Sequence, residues 1–191
     1  MNEVRNHLKA NFILMNDIVF DDADFEEGGE FYNNGQGWEA IGRDCLESGL
    51  EDHENQFSGV FDGNNYKIVN LKQNITLKEA NKSYNVGGFF NSVGLNGVIK
   101  NLTLENAKID ANKNGLYAIL ATSNHGEILN CRTTGSVNVK SGGYAGGISG
   151  GGAETYYCIN KGKVESSYYA VGITAMAANF KGRGCYNTGS I

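Results

Sequence analysis

The acidic residues of the C-terminal half are the first candidates for catalysis, because a glycoside hydrolase needs two carboxylates that face one groove. Residues 97–191 contain five such side chains: Glu105, Asp110, Glu127, Glu154 and Glu165. None recurs at a common position of the repeat described below. The chain has no His-Glu-x-x-His motif for a metallopeptidase, and the pair His125-Gly126 is typical of a solvated turn. We therefore expect no enzymatic activity; a polysaccharide lyase or hydrolase on the same scaffold is the alternative.

A second group of acidic residues lies near the N-terminus and could gather a calcium ion, which prefers many oxygen ligands from one loop. The group consists of Asp21, Asp22, Asp24, Glu26 and Glu27. Its spacing differs from that of an EF-hand loop, so a solvated acidic loop is the favoured interpretation. We expect no cofactor, with calcium as the alternative.

Tyrosines are the strongest candidates for ligand binding. Six of them occur in the last 50 residues: Tyr144, Tyr156, Tyr157, Tyr168, Tyr169 and Tyr186. Exposed aromatic rings on a flat face can bind a host or environmental glycan or a protein. Stacked aromatic columns also stabilise parallel coils by themselves, so both interpretations stay open.

The cysteines recur at a fixed interval. CRTTGSV begins at Cys131, CINKGKV at Cys158 and CYNTGSI at Cys185, each 27 residues after the last, and Cys45 stands apart. No Cys-x-x-Cys pair is present, so zinc and thioredoxin-type chemistry have no support. A small apolar thiol that fills one recurring interior slot is favoured over a disulfide or a metal site.

A related block, GVIKNLTLENAKI at 97–109, has Leu102 at the cysteine position. A second motif precedes each of these four blocks: GGFFN at 87–91, YAILA at 117–121, GGISG at 146–150 and VGITA at 171–175. Together the motifs define four units with a period of 27 to 30 residues. A unit this short cannot bury its own apolar face, so it must stack on its neighbours. The repeat predicts an all-β fold, a right-handed parallel β-helix (β-solenoid) with three short strands per turn, or rung.

Stacking places like residues over like residues, and the repeat therefore predicts interior columns. The apolar columns are Leu102, Cys131, Cys158 and Cys185; Phe89, Ile119, Ile148 and Ile173; and Ile109, Val137, Val164 and Ile191. The small residues at one turn are Gly88, Ala118, Gly147 and Gly172. A corner is marked by Gly135, Gly162 and Gly189, with Thr133, Asn160 and Asn187 two residues earlier. Stacked asparagines there can hydrogen-bond along the column.

The first third of the chain does not follow the period. Strands are predicted within NFILMNDIVF at 11–20, WEAIG at 38–42 and FSGVFDGNNYKIVNL at 57–71. We assign 1–71 to an N-terminal cap with the first rungs, 72–85 to a loop insertion and 86–191 to regular rungs of one continuous domain.

The order of these motifs, from NFILMNDIVF through FSGVFDGNNYKIVNL to the alternating glycine and Asn-Cys blocks, resembles bacterial surface proteins with GLUG repeats. The core Gly-Leu-apolar-Gly pattern is only partly kept, since Gly147 to Gly150 enclose Ile-Ser and 118–121 carry no glycine. The resemblance implies a module of a large secreted or cell-surface protein, either adhesin-like or from the N-terminal region of an IgA-cleaving metallopeptidase. It implies no catalytic residues.

Charge and hydropathy limit the partners. The 191 residues carry a net charge of −5, and residues 1–62 hold 15 acidic and 3 basic side chains. We therefore expect no nucleic-acid partner. No apolar run is long enough for a membrane span, so no direct membrane insertion is expected, and the N-terminus lacks the apolar region of a signal peptide. We expect a fragment of a longer exported protein, with end-to-end self-association through an uncapped C-terminal rung at 165–191.

Overall fold

Short β-strands dominate the computed structural model, which describes residues 1–43, 53–77, 85–176 and 181–191. The strands are β1 (Phe12–Ile13), β2 (Ile18–Val19), β3 (Val60–Asp62), β4 (Lys67–Val69), β5 (Lys72–Asn74), β6 (Asn85–Gly87), β7 (Phe90–Val93), β8 (Val98–Lys100), β9 (Thr103–Ala111), β10 (Gly115–Ala118), β11 (Ala121–Leu129), β12 (Arg132–Val139), β13 (Tyr144–Gly146), β14 (Ser149–Tyr156), β15 (Ile159–Asn160), β16 (Lys163–Ser166), β17 (Tyr169–Val171), β18 (Thr174–Met176), β19 (Lys181–Arg183) and β20 (Tyr186–Asn187). The helices are α1 (Asn2–Asn6) and the 3₁₀ turns Asp22–Phe25, Asn33–Gly35, His53–Asn55 and Ile75–Leu77.

The strands form three parallel sheets. Sheet A has the order β1-β3-β8-β11-β14-β18, with β7 and β19 beside it; sheet B has the order β2-β4-β9-β12-β15-β20, with β5 and β16 beside it; sheet C has the order β6-β10-β13-β17. Each rung passes through C, A and B in turn before the chain climbs to the next rung. The prediction of a β-solenoid with three strands per rung is confirmed, with about four turns.

The interior columns follow from this parallel pairing. Val137 of β12 pairs with Ile109 on one side and Val164 on the other. Leu102, Cys131 and Cys158 are almost completely buried, and Cys185 is partly buried. Parallel strands lie about 4.8 Å apart, so each apolar side chain covers the one below it and excludes water from the coil.

One predicted column is wrong by one residue. Ala121 pairs with Phe90 and with Ser149, and Ala118 pairs with Gly146. This register places Leu120, rather than Ile119, over Ile148. Ile119 instead matches Gly147, and the glycine column shifts in the same way. The hydrogen-bond register depends on the number of residues in the corner between sheets C and A. The similarity of the repeated sequences does not reveal that number.

The N-terminal strands also differ from the prediction. NFILMNDIVF contains two strands, β1 and β2, which belong to different sheets. β3 and β4 likewise lie in different sheets, so Asp62–Asn65 forms a solenoid corner. WEAIG forms no strand; Ile41 makes only an isolated bridge to Phe90. Within the predicted loop 72–85, residues 72–74 form β5 against β9, and 78–84 lie outside the described residues.

Aromatic side chains close the N-terminal end of the coil. The ring of Trp38 stacks on Phe89 with centroids 5.1 Å apart, and its indole N–H donates to the Phe89 carbonyl at 3.0 Å. Phe20 and Phe31 also pack against Trp38. This cluster covers the apolar interior that the first rung would otherwise expose.

Candidate binding surfaces

The six candidate tyrosines fall into two groups. Tyr144, Tyr168 and Tyr169 lie together at the start of sheet C and form the tyrosine platform. The ring centroids of Tyr144 and Tyr168 are 5.3 Å apart and perpendicular, and those of Tyr144 and Tyr169 are 5.9 Å apart. Tyr168 and Tyr169 are 66% and 51% exposed, so their rings remain available to a ligand.

The backbone fixes the position of this platform. Tyr144 and Tyr169 are register partners in β13 and β17, one rung apart. The hydroxyl of Ser166 accepts hydrogen bonds from the backbone N–H groups of Tyr168 and Tyr169 and donates to the Gly143 carbonyl at 2.7 Å. A hydrogen bond with Tyr168, together with the charge of that neighbour, raises the pKa of the Tyr144 phenol.

Tyr156, Tyr157 and Tyr186 lie at the corner between sheets A and B. The Tyr156 hydroxyl lies 3.5 Å from Glu154, and burial, followed by the charge of Glu154, raises the pKa of this phenol. Tyr157 has a left-handed backbone and covers Gly184, where a Cβ would come 2.6 Å from the ring. Among the described residues, no ring contact joins this group to the platform. The six tyrosines therefore do not form one surface.

Three of the five acidic residues considered as calcium ligands are engaged in local structure. Asp21 accepts a hydrogen bond from the backbone of Ala23, and Asp24 accepts one from the backbone of Asp21, so the two form a capping box on a 3₁₀ turn. Asp22 forms an ion pair with Lys72 at 2.7 Å. Nowhere in the described parts of the chain do three Asp, Glu, His or Cys side chains converge as a metal site would require.

Four of the five carboxylates considered for catalysis pair with lysines on the outer faces of the coil. The pairs are Glu105 with Lys67, Asp110 with Lys108, Glu154 with Lys181 and Glu165 with Lys163. The ring of His125 lies 3.2 Å from the hydroxyl of Ser123, two residues earlier on the same strand. Two of these carboxylate positions do recur: Glu127 is the register partner of Glu154 in sheet A, and Asp110 and Glu165 lie on either side of Asn138 in sheet B. The expectation that no carboxylate shares a repeat position is therefore wrong.

The cysteine column is confirmed as packing. Cys131, Cys158 and Cys185 are free thiols, and each donates to a backbone carbonyl, as Cys158 does to Tyr156 at 3.2 Å. A hydrogen bond with Cys131, with burial as a further cause, raises the pKa of Cys158 to about 12. The pKa of Cys185 is also raised, first by its hydrogen bond with Cys158. Because thiolates are the reactive form, Cys158 and Cys185 are poor nucleophiles in the folded chain. Cys45 lies outside the described residues.

Sequence reasoning missed a cleft between the cap and the outer face of sheet B. Its lining includes Asp22, Phe25, Lys72 and Lys108. The only sequence signals were the closely spaced glycines Gly35 and Gly37, which let a loop approach a strand.

Comparison with known proteins gives one partial similarity. No known family profile and no solved structure matches the chain. Over 119 residues, or 61% of its length, the chain is 35% identical to halomucin from Haloquadratum walsbyi. The chain spans about 1% of the length of halomucin. The fold defines the protein as a β-solenoid repeat module, and the resemblance to GLUG repeats stays a prediction. None of the helices within the described ranges is long and apolar enough to cross a membrane.

Proposed function

We propose that the chain is a non-enzymatic β-solenoid module of a secreted or cell-surface protein, and that its tyrosine platform binds a glycan. The rigid coil holds Tyr144, Tyr168 and Tyr169 on one outer face. The partial similarity to halomucin favours a surface protein. The module thus combines an extended scaffold with an exposed recognition surface.

The exposure of the platform is the observation that carries this proposal. Tyr168 and Tyr169 leave half or more of their surface in water, so they contribute little to burial. A tyrosine ring offers an apolar face for the C–H groups of a sugar and a hydroxyl at its edge for hydrogen bonding. The second tyrosine group is a weaker candidate, because Tyr157 covers Gly184 and Tyr156 is partly buried beside Glu154.

A glycan array tests the proposal with two matched triple variants. At least one glycan that binds wild type should no longer bind Tyr144→Ala/Tyr168→Ala/Tyr169→Ala but should still bind Tyr156→Ala/Tyr157→Ala/Tyr186→Ala, with both variants folded by circular dichroism. Loss in the second variant alone would move the binding surface to the corner between sheets A and B. If wild-type protein bound no glycan, the module would act as a structural stalk or bind a protein, and the glycan proposal would be wrong.

A further inference from the structure

The cleft between the N-terminal cap and sheet B is lined mainly by polar residues, and its volume is about 280 Å³. Its floor consists of Lys72 and Asn74 of β5 and their register partners Lys108 and Asp110 of β9. Because these four residues belong to paired strands of two adjacent rungs, the floor is a regular array of ammonium, amide and carboxylate groups.

The wall of the cleft is fixed to this floor by backbone contacts. The carbonyl of Gln36 accepts a hydrogen bond from the Asn74 N–H at 2.8 Å, and the Trp38 N–H donates to the Lys72 carbonyl at 2.8 Å. Gly37 has a φ of +76°, and a Cβ there would come 2.4 Å from the Lys72 carbonyl oxygen. Only a glycine allows the loop to lie this close to β5. The cleft is therefore formed before any ligand arrives, which lowers the entropic cost of binding.

The cleft is lined by charges of both signs, three carboxylates and two ammonium groups. Lys72 pairs with Asp22 at 2.7 Å, and Lys108 pairs with Asp110 at 3.4 Å. Glu26 adds a further carboxylate to the lining. An anionic ligand would meet these carboxylates, and a cationic one would meet the two ammonium groups. A ligand rich in neutral hydroxyls fits both, because each hydroxyl can donate to a carboxylate and accept from an ammonium group.

Phe25 supplies an apolar surface beside these polar groups. Its ring packs edge-on against Phe20 with centroids 5.5 Å apart, and it lies 6.2 Å from the ring of Phe31. Phe25 is only partly buried and lines the cleft. An aromatic ring next to a few placed polar groups is the arrangement that holds a sugar ring by its C–H face and its hydroxyls.

We propose that this cleft is a binding site for a neutral saccharide, distinct from the tyrosine platform. The probes are a panel of neutral gluco-, manno- and galacto-saccharides of one to three residues, followed by NMR through the backbone amides of Gly35, Gly37 and Lys108. At least one probe should shift these amides. Phe25→Ala and Asp110→Ala should each weaken that probe at least tenfold.

Lys163→Ala is the matched control, since Lys163 pairs with Glu165 two rungs further along the same column, outside the cleft. Its affinity for the probe should stay within twofold of wild type. The platform variant Tyr144→Ala/Tyr168→Ala/Tyr169→Ala should still bind at the cleft, so the cleft proposal and the platform proposal are tested separately.

The proposal is overturned if no neutral saccharide shifts the Gly35 and Gly37 amides, if only acidic saccharides do, or if Lys163→Ala weakens binding as much as Asp110→Ala. Should Phe25→Ala not fold, Lys108→Ala takes its place with the same expected loss.

Discussion

The backbone of Gly147 lies directly opposite the amide of Asn160: a Cβ atom on Gly147 would come 2.4 Å from the side-chain carbon of that amide. Asn160 is completely buried, and its polar atoms are bonded inside the coil. Its oxygen accepts from the Thr133 hydroxyl at 2.9 Å, and its nitrogen donates to Asn187 at 2.8 Å and to the Gly162 carbonyl at 3.1 Å. This interior ladder needs a residue without a side chain in the facing turn, between β13 and β14.

Gly147→Ala should therefore destabilise the coil. The new methyl group meets both Asn160 and the Gly172 carbonyl, at 2.2 Å from the latter, and overpacking of this kind costs about 2–3 kcal/mol. The measurement is the free energy of unfolding in urea. Gly28→Ala is the control: its φ is +92° but nothing lies within 4 Å, so only backbone strain of about 1 kcal/mol is expected. Equal losses in the two variants would contradict close packing at Gly147.

Asn160→Ala should also lower the free energy of unfolding, by about 2–3 kcal/mol, because the backbone N–H and the carbonyl of Gly162 both lose their buried hydrogen bonds to Asn160. Asn138→Ala is its control, since Asn138 is partly exposed and makes only a 3.4 Å hydrogen bond to Asp110. That variant should change the free energy of unfolding by less than about 0.5 kcal/mol. A loss of stability for Asn138→Ala as large as for Asn160→Ala would show that the buried hydrogen bonds of Asn160 do not stabilise the coil more than a partly exposed one does.

The fold could be predicted because stacking forces similar residues to recur. Cys131 and Cys158 occupy one slot, and Thr133 and Asn160 occupy the next inward position, so their 27-residue interval directly reports the rung. The slip at Ile119 has a physical cause: two apolar residues, Ile119 and Leu120, follow each other at that corner, and both are completely buried. Residue type alone did not decide which of them lies over Ile148.

The binding surfaces were harder to predict because they depend on which corner a residue occupies. Tyr157 and Tyr168 are both exposed tyrosines on late rungs, but one lies between sheets A and B and the other between sheets B and C. The cleft brings Phe25 and Lys108 to one site across more than 80 residues of sequence. No periodic pattern links them, because the cap does not follow the repeat.

Asp62 should make the protein acid-sensitive. Burial raises the pKa of this carboxyl, but hydrogen bonds from Asn64, Asn101 and Lys100 outweigh burial, so the pKa is lowered from 3.8. The stability from this group is present above the unfolded-state pKa and is lost as the pH falls through the folded-state pKa. Asp62→Asn should thus destabilise the protein at pH 7 and have a smaller effect at pH 2. An effect that is the same or larger at pH 2 would show that the ionised form is not the stabilising one.

Cys158 should make the protein sensitive to base. Its pKa is raised from 9.0 to about 12 in the folded chain, so above pH 9 the unfolded state releases a proton that the folded state keeps. The stability contributed by the neutral thiol is complete below pH 9 and is lost as the pH rises toward 12, with a slope of at most about 1.4 kcal/mol per pH unit.

Tyrosines and lysines titrate in the same window, so the useful quantity is the difference in free energy of unfolding between wild type and Cys158→Ala. The free energy of unfolding of wild type should fall more steeply between pH 9 and pH 11 than that of the variant. Parallel pH profiles would show that Cys158 ionises as readily in the coil as in the unfolded chain.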